Sequence, residues 1–414
     1  MNILYLNTTY QCGGAEKVAS QLFSGMRSRG HKVYEIVCYD MNYCELPQGV
    51  QVLYPSLPMR IFNRLITGNH GNRSLHIGYS RRRILSFIKK HQIDLVHLNN
   101  AHGNFLGIQD IAEIAKNCPV VWTLHDFWAM TGHCAFPYGC TDRWKEGCGE
   151  CPRLDNYPAL RKDLSHRLWE SKKKAFRQYP VFFTVPSGWM YEQFEASHLK
   201  GLPCRRIYNS LDIHAWKPLD KQKVRAQYGL TDTKNIIGFI AADPQKKLKG
   251  MDFLLKALSH IHDAMNYILL VAGRENGLLE QLDGTFEIRR LGYLDSQKAL
   301  NEFYAAADLL VNPSLYETFG LTNIEALACQ TPVAAFPVCT MPEILKSSCG
   351  WIASEVSAGA LADTIIQAFS DKAVLEEKGR AGRRRVEEVF SEEKMLDAFE
   401  DLYRTTLKEE VYLK

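Results

Sequence analysis

No stretch of this 414-residue chain approaches about 18 consecutive uncharged apolar positions, so the sequence predicts no membrane-crossing helix. The opening residues, Met1-Asn2-Ile3-Leu4-Tyr5-Leu6, lack a basic lead-in and run straight into a strand-like pattern. That argues against a secretory signal and for a protein in the cytoplasm or on its membrane face. A charge excess is missing too: 50 Lys and Arg stand against 46 Asp and Glu, a net of +4. This is too balanced for a dedicated nucleic-acid binder. There is no internal repeat and no low-complexity linker. With 46% hydrophobic and 23% charged residues, disordered, collagen-like and coiled-coil chains are excluded. The length suggests two or three domains, large enough to bury cores without staples. Acidic residues are absent from one interval in particular, between Glu45 and Asp94. That interval carries Arg60, Arg64, Arg73, Arg81, Arg82, Arg83, Lys89 and Lys90. It reads either as a solvated surface or as a face that meets anionic lipid or a pyrophosphate-bearing acceptor.

What is present alternates strand and helix signals. Residues 3–7 read as a buried strand, Gly13-Gly14 as a turn, 15–29 as a helix closed by Gly30, and 32–39 as a second strand. Short apolar runs at 94–99, 120–125 and 181–185 continue the pattern. It then restarts, with strands at 235–241, 267–272, 287–292, 308–313 and 332–336. Helices are expected at 250–258, 296–307, 319–329, 358–370 and 391–408. The expected fold class is α/β, two doubly wound Rossmann-like halves facing a ligand cleft. The expected division is 1–208, 209–388, and a closing helix over 389–414 that packs back on the first half.

The most informative segment runs from Asn312 to Cys329. A strand ends at Pro313, a loop carries Glu317, and Gly320 opens a helix carrying Glu325. Backbone N–H groups at Gly320, Leu321 and Thr322, together with the helix dipole, suit a diphosphate. Glu325, about two turns in, is placed to accept hydrogen bonds from a ribose diol. A helix-start Glu and a surface Glu would explain each acid singly, but not the glycine between them. Lys247 and Lys249 offer point charges for a leaving phosphate, and the adjacent Gly250 favours that over a solvated loop. His125 and Asp126 follow a buried strand and so lie at its carboxyl end. Asp126 would steady the His125 imidazole or contact an acceptor. Gly13 and Gly14 permit close backbone approach to a diphosphate or acceptor.

Glu317, seven intervening residues and Glu325, with Phe319-Gly320-Leu321 between and Gln330-Thr331-Pro332-Val333 after, resemble the motif of family-four retaining glycosyltransferases of the GT-B fold. Gly13-Gly14-Ala15-Glu16, Thr123-Leu124-His125-Asp126, Asn209-Ser210-Leu211-Asp212 and Lys249-Gly250 are similar to that family's further motifs, in its order. Residues 121–152 resemble the subgroup that builds bacterial colanic acid, O-antigen and capsule. The resemblance implies Glu317 near the transferred sugar and His125 lining it. It implies Gly14, Lys247, Lys249, Gly320, Leu321 and Thr322 around the donor diphosphate, and Glu325 on the ribose. Gly13 and Asp126 would touch acceptor or sugar. The implied reaction moves a sugar from a UDP- or GDP-linked donor to a lipid-linked saccharide at the inner membrane, with the basic 60–90 region as a peripheral contact. Same-face attack, with the leaving phosphate taking the acceptor proton, fits the lack of an obvious protein base. A sugar-nucleotide epimerase of the same fold and a nucleotide-sugar-binding non-enzyme are the alternatives. One departure stands out: Ala241-Ala242-Asp243 replaces the Arg that many members carry there. Lys is not an equivalent clamp, so the 242–249 site is the weakest part of the pattern. No Asp-x-Asp motif is present, so no catalytic cation is expected.

Cys12, Cys38, Cys44, Cys118, Cys204, Cys329, Cys339 and Cys349 are scattered among apolar elements and read as reduced core residues. Cys134, Cys140, Cys148 and Cys151 are clustered, and Cys148-Gly149-Glu150-Cys151 has a metal-chelating spacing. Four such thiolates suit a closed structural zinc site, with free thiols or two disulfides as the competing states.

Overall fold

The structure is a computed structural model that describes residues 1–10, 13–39, 46–67, 79–140, 142–230, 233–274, 277–282 and 285–408. It divides into two compact units, residues 1–208 with 396 onward, and residues 209–395.

In the first unit, seven parallel strands form one sheet among the described residues. They are β1 (Asn2–Thr9), β2 (Lys32–Tyr39), β3 (Val50–Val52), β4 (Leu95–Leu98), β5 (Val120–Thr123), β6 (Phe182–Val185) and β7 (Cys204–Arg206). Their order is β3-β2-β1-β4-β5-β6-β7. Ile3, Leu4, Tyr5 and Leu6 are fully buried, as an unbroken apolar run requires when helices cover both faces. The Gly14–Ser28, Tyr79–His91, Ile108–Asn117 and Ser165–Gln178 helices make the crossovers. A buried polar column crosses this sheet: His97 Nδ1 meets Tyr403 Oη at 2.5 Å, and His97 Nε2 meets Thr123 Oγ1 at 2.7 Å. Thr123 in turn meets Thr184 at 2.6 Å. Burial pulls the His97 imidazole down to about 3, so it stays neutral.

Glu35 on β2 is the misfit of this interior. It is buried, and its Oε2 has no partner. Burial first, and the nearby Glu16 second, push its carboxyl up to about 8. The folded chain thus keeps a proton that the unfolded chain gives up above its ordinary value. The group's contribution to stability is full at low pH and is lost as pH rises toward and through 8. Glu35→Gln is therefore expected to stabilise the protein by about 3 kcal/mol at pH 9 and to be nearly neutral at pH 5. Guanidinium unfolding at the two pH values checks this; equal effects at both would refute it.

Among the described residues the second unit holds a six-stranded parallel sheet. Its strands are β8 (Asn235–Ile240), β9 (Tyr267–Ala272), β10 (Glu287–Arg290), β11 (Leu309–Asn312), β12 (Val333–Ala335) and β13 (Gly350–Ile352). The order β10-β9-β8-β11-β12-β13 reverses direction between β8 and β11, as β1 and β4 do in the first sheet. In open parallel sheets, ligands bind at the carboxyl ends of the strands on either side of that reversal. Unit two runs on to Met395, past the expected end at 388. The reason is local: Leu211 N–H donates to Phe390 O at 2.9 Å, and the Phe390 ring meets Phe319 edge-on at 5.7 Å. The Glu392–Lys408 helix belongs to unit one from Leu396, where Leu396, Phe399, Leu402 and Tyr403 are buried at helical spacing.

Candidate active site

In unit two the loops after β8 and β11 are locked together. Lys247–Lys249 forms a single 3-10 turn after β8, and Leu315 N–H donates to Leu248 O at 2.8 Å. Gly250 follows in the left-handed region, φ 69°, and a Cβ there would lie 1.9 Å from Pro313 O. Only glycine permits that approach. The result is a contact between two residues far apart in the chain: Lys249 Nζ lies 2.5 Å from Glu317 Oε1. Lys247 is exposed on the same turn and is not drawn into this contact.

Gly320, φ 85°, opens the Leu321–Ala328 helix, which carries no side-chain cap. Its first N–H groups, including those of Leu321 and Thr322, form the positive end of the helix dipole. Asn312 at the end of β11 donates to Asn323 Oδ1 at 2.7 Å and fixes the helix against the strand. Glu325 is the fifth residue of this helix, so it lies one turn in rather than two. It is only 4% exposed, not a surface residue, and its Oε2 accepts from Tyr304 Oη at 2.7 Å. Burial, and then the carboxylate itself, raise the Tyr304 phenol far above its usual range and keep it a donor.

The same unit has a cavity of about 270 Å³ past the carboxyl ends of β8, β9 and β10. Pro244, Gly273, Arg274, Glu280, Arg290 and Gly292 line it. The Arg274 guanidinium sits 5.8 Å from the Tyr293 ring centroid. Neither arginine was singled out from the sequence, yet Arg274 lies two residues beyond β9 and Arg290 is the last of β10. The rule that ligands meet strand ends points to both. Arg274 supplies guanidinium charge after β9, the strand beside β8 whose exit carries Ala242 in place of an arginine, and Arg290 does so one strand further out.

In unit one, Gly13 and Gly14 open the Gly14–Ser28 helix at the end of β1. Glu16, in its first turn, accepts from Asn100 Nδ2 at 3.0 Å and from Thr9 Oγ1 at 3.3 Å. Strand β5 stops at Thr123, so His125 and Asp126 lie in the loop beyond it. Burial pulls the His125 imidazole down to about 4, and Asn99 Oδ1 holds its Nε2 at 3.0 Å. The Asp126 charge acts on His125 and favours its protonated form, against the burial. The Asp126 carboxylate meets His102 Nε2 at 2.6 Å and accepts from Trp128 N–H at 2.8 Å. Burial opposes the charge on Asp126, but His102 outweighs it and keeps the carboxyl below its usual range. Asn99 thus holds the His125 ring by a hydrogen bond, beside the electrostatic influence of Asp126. His102, which follows β4, was not foreseen.

Residues 12–215 match the family model described as Glycosyltransferase Family 4, and residues 220–385 the one described as Glycosyl transferases group 1. This chain belongs to the family-four glycosyltransferases. It is 27% identical over 378 residues, 86% of this chain and 88% of the other, to Escherichia coli (strain K12) WcaC, named as a colanic acid biosynthesis glycosyl transferase. Among solved structures, a sucrose-phosphate synthase from Thermosynechococcus elongatus superposes with TM-score 0.75 at 19% identity, covering 98% of this chain and 99% of that one. WaaG, a glycosyltransferase involved in lipopolysaccharide biosynthesis, superposes with TM-score 0.68 at 16% identity, covering 96% and 99%. The glycosyltransferase therefore has the GT-B fold, with a Rossmann-like sheet in each unit.

Of the scattered cysteines of this glycosyltransferase, Cys38, Cys118, Cys329 and Cys349 are buried free thiols, while Cys204 and Cys339 are half-buried. Cys12 and Cys44 lie outside the described residues, as does Arg73 of the basic interval; the Arg64 side chain is also undescribed. Arg60 donates to Tyr54 O at 3.1 Å and Arg81 lies 3.8 Å from Asp110, so part of that interval is engaged within the fold. Among the described residues no helix is long and apolar enough to cross a membrane. Cys134, Cys140, Cys148 and Cys151 are all free thiols. Among the described residues no three His, Cys, Asp or Glu side chains are grouped as ligands of a metal ion.

Proposed function

We propose that the enzyme transfers a sugar from a UDP- or GDP-linked donor, with retention at the anomeric carbon, to a lipid-linked saccharide acceptor in surface-polysaccharide synthesis. The observation that carries this reading is the Lys249–Glu317 contact beside the uncapped helix that bears Glu325. When the bond from the sugar's anomeric carbon to the β-phosphate oxygen breaks, negative charge collects on the leaving diphosphate. Lys249, Lys247 and the N–H groups at Gly320, Leu321 and Thr322 are the donors suited to that charge. Glu317, freed from Lys249 as the diphosphate takes its place, faces the transferred sugar. The acceptor hydroxyl attacks on the same face and its proton passes to the departing phosphate oxygen. His125, neutral at pH 7, offers a hydrogen bond to a sugar hydroxyl without a competing charge. The cavity lined by Arg274 and Arg290 suits the nucleobase and ribose end of the donor. HepE of Anabaena, a structural neighbour described in complex with UDP and with UDP-glucose, supports a nucleotide-sugar donor. Similarity to WcaC supports the surface-polysaccharide setting. Leu57 and Ile61, 62% and 50% exposed on the Leu57–Thr67 helix beside Arg60, are the groups proposed to touch the cytoplasmic leaflet.

Calorimetry with UDP, GDP, ADP and NAD on the wild type and on Glu325→Gln tests the donor site. Gln keeps an acceptor for Tyr304 but receives ribose hydroxyls poorly. Either UDP or GDP is expected to bind, and the substitution to weaken it by about 1–3 kcal/mol with unchanged melting. Binding of NAD alone, or an equal affinity in the variant, would remove the reading.

A further inference from the structure

Residues 124–164 hold a single short helix, Arg143–Glu146, among the described residues. A loop of this length inside a compact unit is usually there for a task. Among the described residues, three exposed rings lie in it, those of Phe136, Tyr138 and Tyr157. Tyr157, 57% exposed, is the most open of the three, and it is the one set against the segment beyond β4. Its ring stands nearly perpendicular to that of His102, with centroids 5.3 Å apart, and a Cβ on Gly103 would come within 2.7 Å of its hydroxyl. We propose that Tyr157 is the platform on which the acceptor's terminal sugar lies, with Asp126 beside it taking a sugar hydroxyl and His102 holding that carboxylate in place. Resting on the transferase reading above, the site takes a neutral pyranose in preference to a uronic acid.

A pyranose offers two kinds of surface, a face of C–H groups and a rim of hydroxyls. An aromatic face suits the first and a carboxylate the second. Tyr157 is anchored by its backbone, since Tyr157 O accepts from Ala135 N–H at 2.7 Å, and more than half of its surface still stays open. Asp126 has room for a hydroxyl. One of its oxygens lies 2.6 Å from His102 Nε2 and the other accepts from Trp128 N–H at 2.8 Å. An ionised carboxylate has about four lone-pair positions, so each oxygen keeps one. Of the Asp126 side chain, 14% is exposed, which leaves a way in. Burial opposes its charge and His102 sustains it, so a sugar hydroxyl donating there makes a charge-assisted hydrogen bond.

These groups are held from behind. Lys172 is fully buried and donates to Trp128 O, to Thr131 O at 2.9 Å and to Gly132 O at 3.2 Å. It thereby pins the turn whose Trp128 N–H holds Asp126. On the other side, Thr8 Oγ1 lies 3.0 Å from Asn100 O and 2.9 Å from His102 O, which fixes the segment beyond β4. Asn100 Nδ2 donates to Glu16 Oε1 at 3.0 Å and so brings a second carboxylate to the same strand ends. Enclosure of its hydroxyl first, and then the Asp126 and Glu16 charges, push the Tyr157 phenol up to about 12, so it stays neutral. Sugar hydroxyls donate to either carboxylate. A uronate brought to the same place sets a third negative charge beside them and is repelled.

Ligand-observed saturation-transfer NMR on the full chain tests the platform, with UDP or GDP present, whichever binds. The probes are the methyl glycosides of D-glucose, D-galactose, D-mannose and N-acetyl-D-glucosamine, and methyl D-glucuronoside. At least one neutral glycoside is expected to take up saturation, strongest on the C–H protons of one pyranose face. The glucuronoside is expected to take up at least about fivefold less. Tyr157→Phe keeps the ring and is expected to keep the signal. Tyr157→Ala and Asp126→Asn are each expected to lower it at least about fivefold, while nucleotide affinity stays within about twofold of wild type. Because Tyr157 is a surface residue, its two variants are expected to melt with the wild type. Full signal in Tyr157→Ala, saturation spread evenly over the sugar, or equal uptake by the glucuronoside would each overturn the site, as would silence of every neutral glycoside while the nucleotide binds. Failure of both UDP and GDP to bind would instead remove the donor reading, and this site with it, so the nucleotide tells the two failures apart. Should Asp126→Asn fold poorly, the Tyr157 pair decides alone.

Discussion

Lys249→Met is expected to lower kcat/KM by about two to three orders of magnitude, the usual effect of removing one group that stabilises charge developing in a transition state. The lysine is tied to its place from both sides. Gly250 seats the turn against Pro313, and the ammonium lies 2.5 Å from Glu317 Oε1 with the lysine only 38% exposed. Glu317→Gln alone is expected to cost less than the lysine, because it leaves the cation in place. The double variant is expected to fall short of the sum, since contacting residues do not act independently. Steady-state rates with the donor whose nucleoside diphosphate binds, measured for the two single variants and the double, give the coupling directly. A Lys249→Met enzyme within about threefold of wild type, or strict additivity, would show that this contact takes no part in transfer.

Gly250→Ala is expected to be among the most damaging single-methyl changes in the chain. Two costs add. The left-handed backbone costs an L-residue about 1–2 kcal/mol. The new Cβ would also sit 1.9 Å from a backbone carbonyl oxygen, which cannot turn aside as a side chain can. A loss of about 3 kcal/mol or more in guanidinium unfolding is expected, with weaker nucleotide binding because the turn must lift away from Pro313. Gly320→Ala is the control: its φ is equally left-handed, but its Cβ meets the end of the Asn323 side chain at 2.7 Å, so a smaller loss is expected. Equal losses in the two would mean that backbone conformation alone, and not the approach to Pro313, sets the requirement for glycine at 250.

Elements with long apolar runs were legible in the sequence to within a residue or two: 32–39 and 267–272 coincide with β2 and β9. What escaped was short. β3, β7 and β13 have three residues each, too few for any periodicity, and they form at sheet edges because a neighbouring strand offers hydrogen bonds. The grouping of Glu317, Gly320 and Glu325 about one helix entry was legible because the three lie within nine positions of one another and follow a strand. The His102–Asp126 pair was not, since it depends on β4 and β5 lying side by side, which no local spacing reveals. Lys172 shows the same limit from another direction. On its helix it reads as one more solvated lysine in Lys172-Lys173-Lys174, and only the fold turns the first of the three inward.

Tyr403 completes the hydrogen bonding of His97 across 306 positions of chain, and the whole second unit lies between them. A ribosome therefore delivers most of the first sheet long before it delivers the helix that finishes that sheet's interior. The second unit, continuous from 209 to 395, emerges complete before the last buried side chains of the first unit leave the exit tunnel. Maturation of the first half must wait for a long-range closure, so its rate is governed by high contact order rather than by how readily its local elements form. A chain truncated before residue 396 would carry the whole second half and a first half with Tyr5 and His97 still wanting their partner.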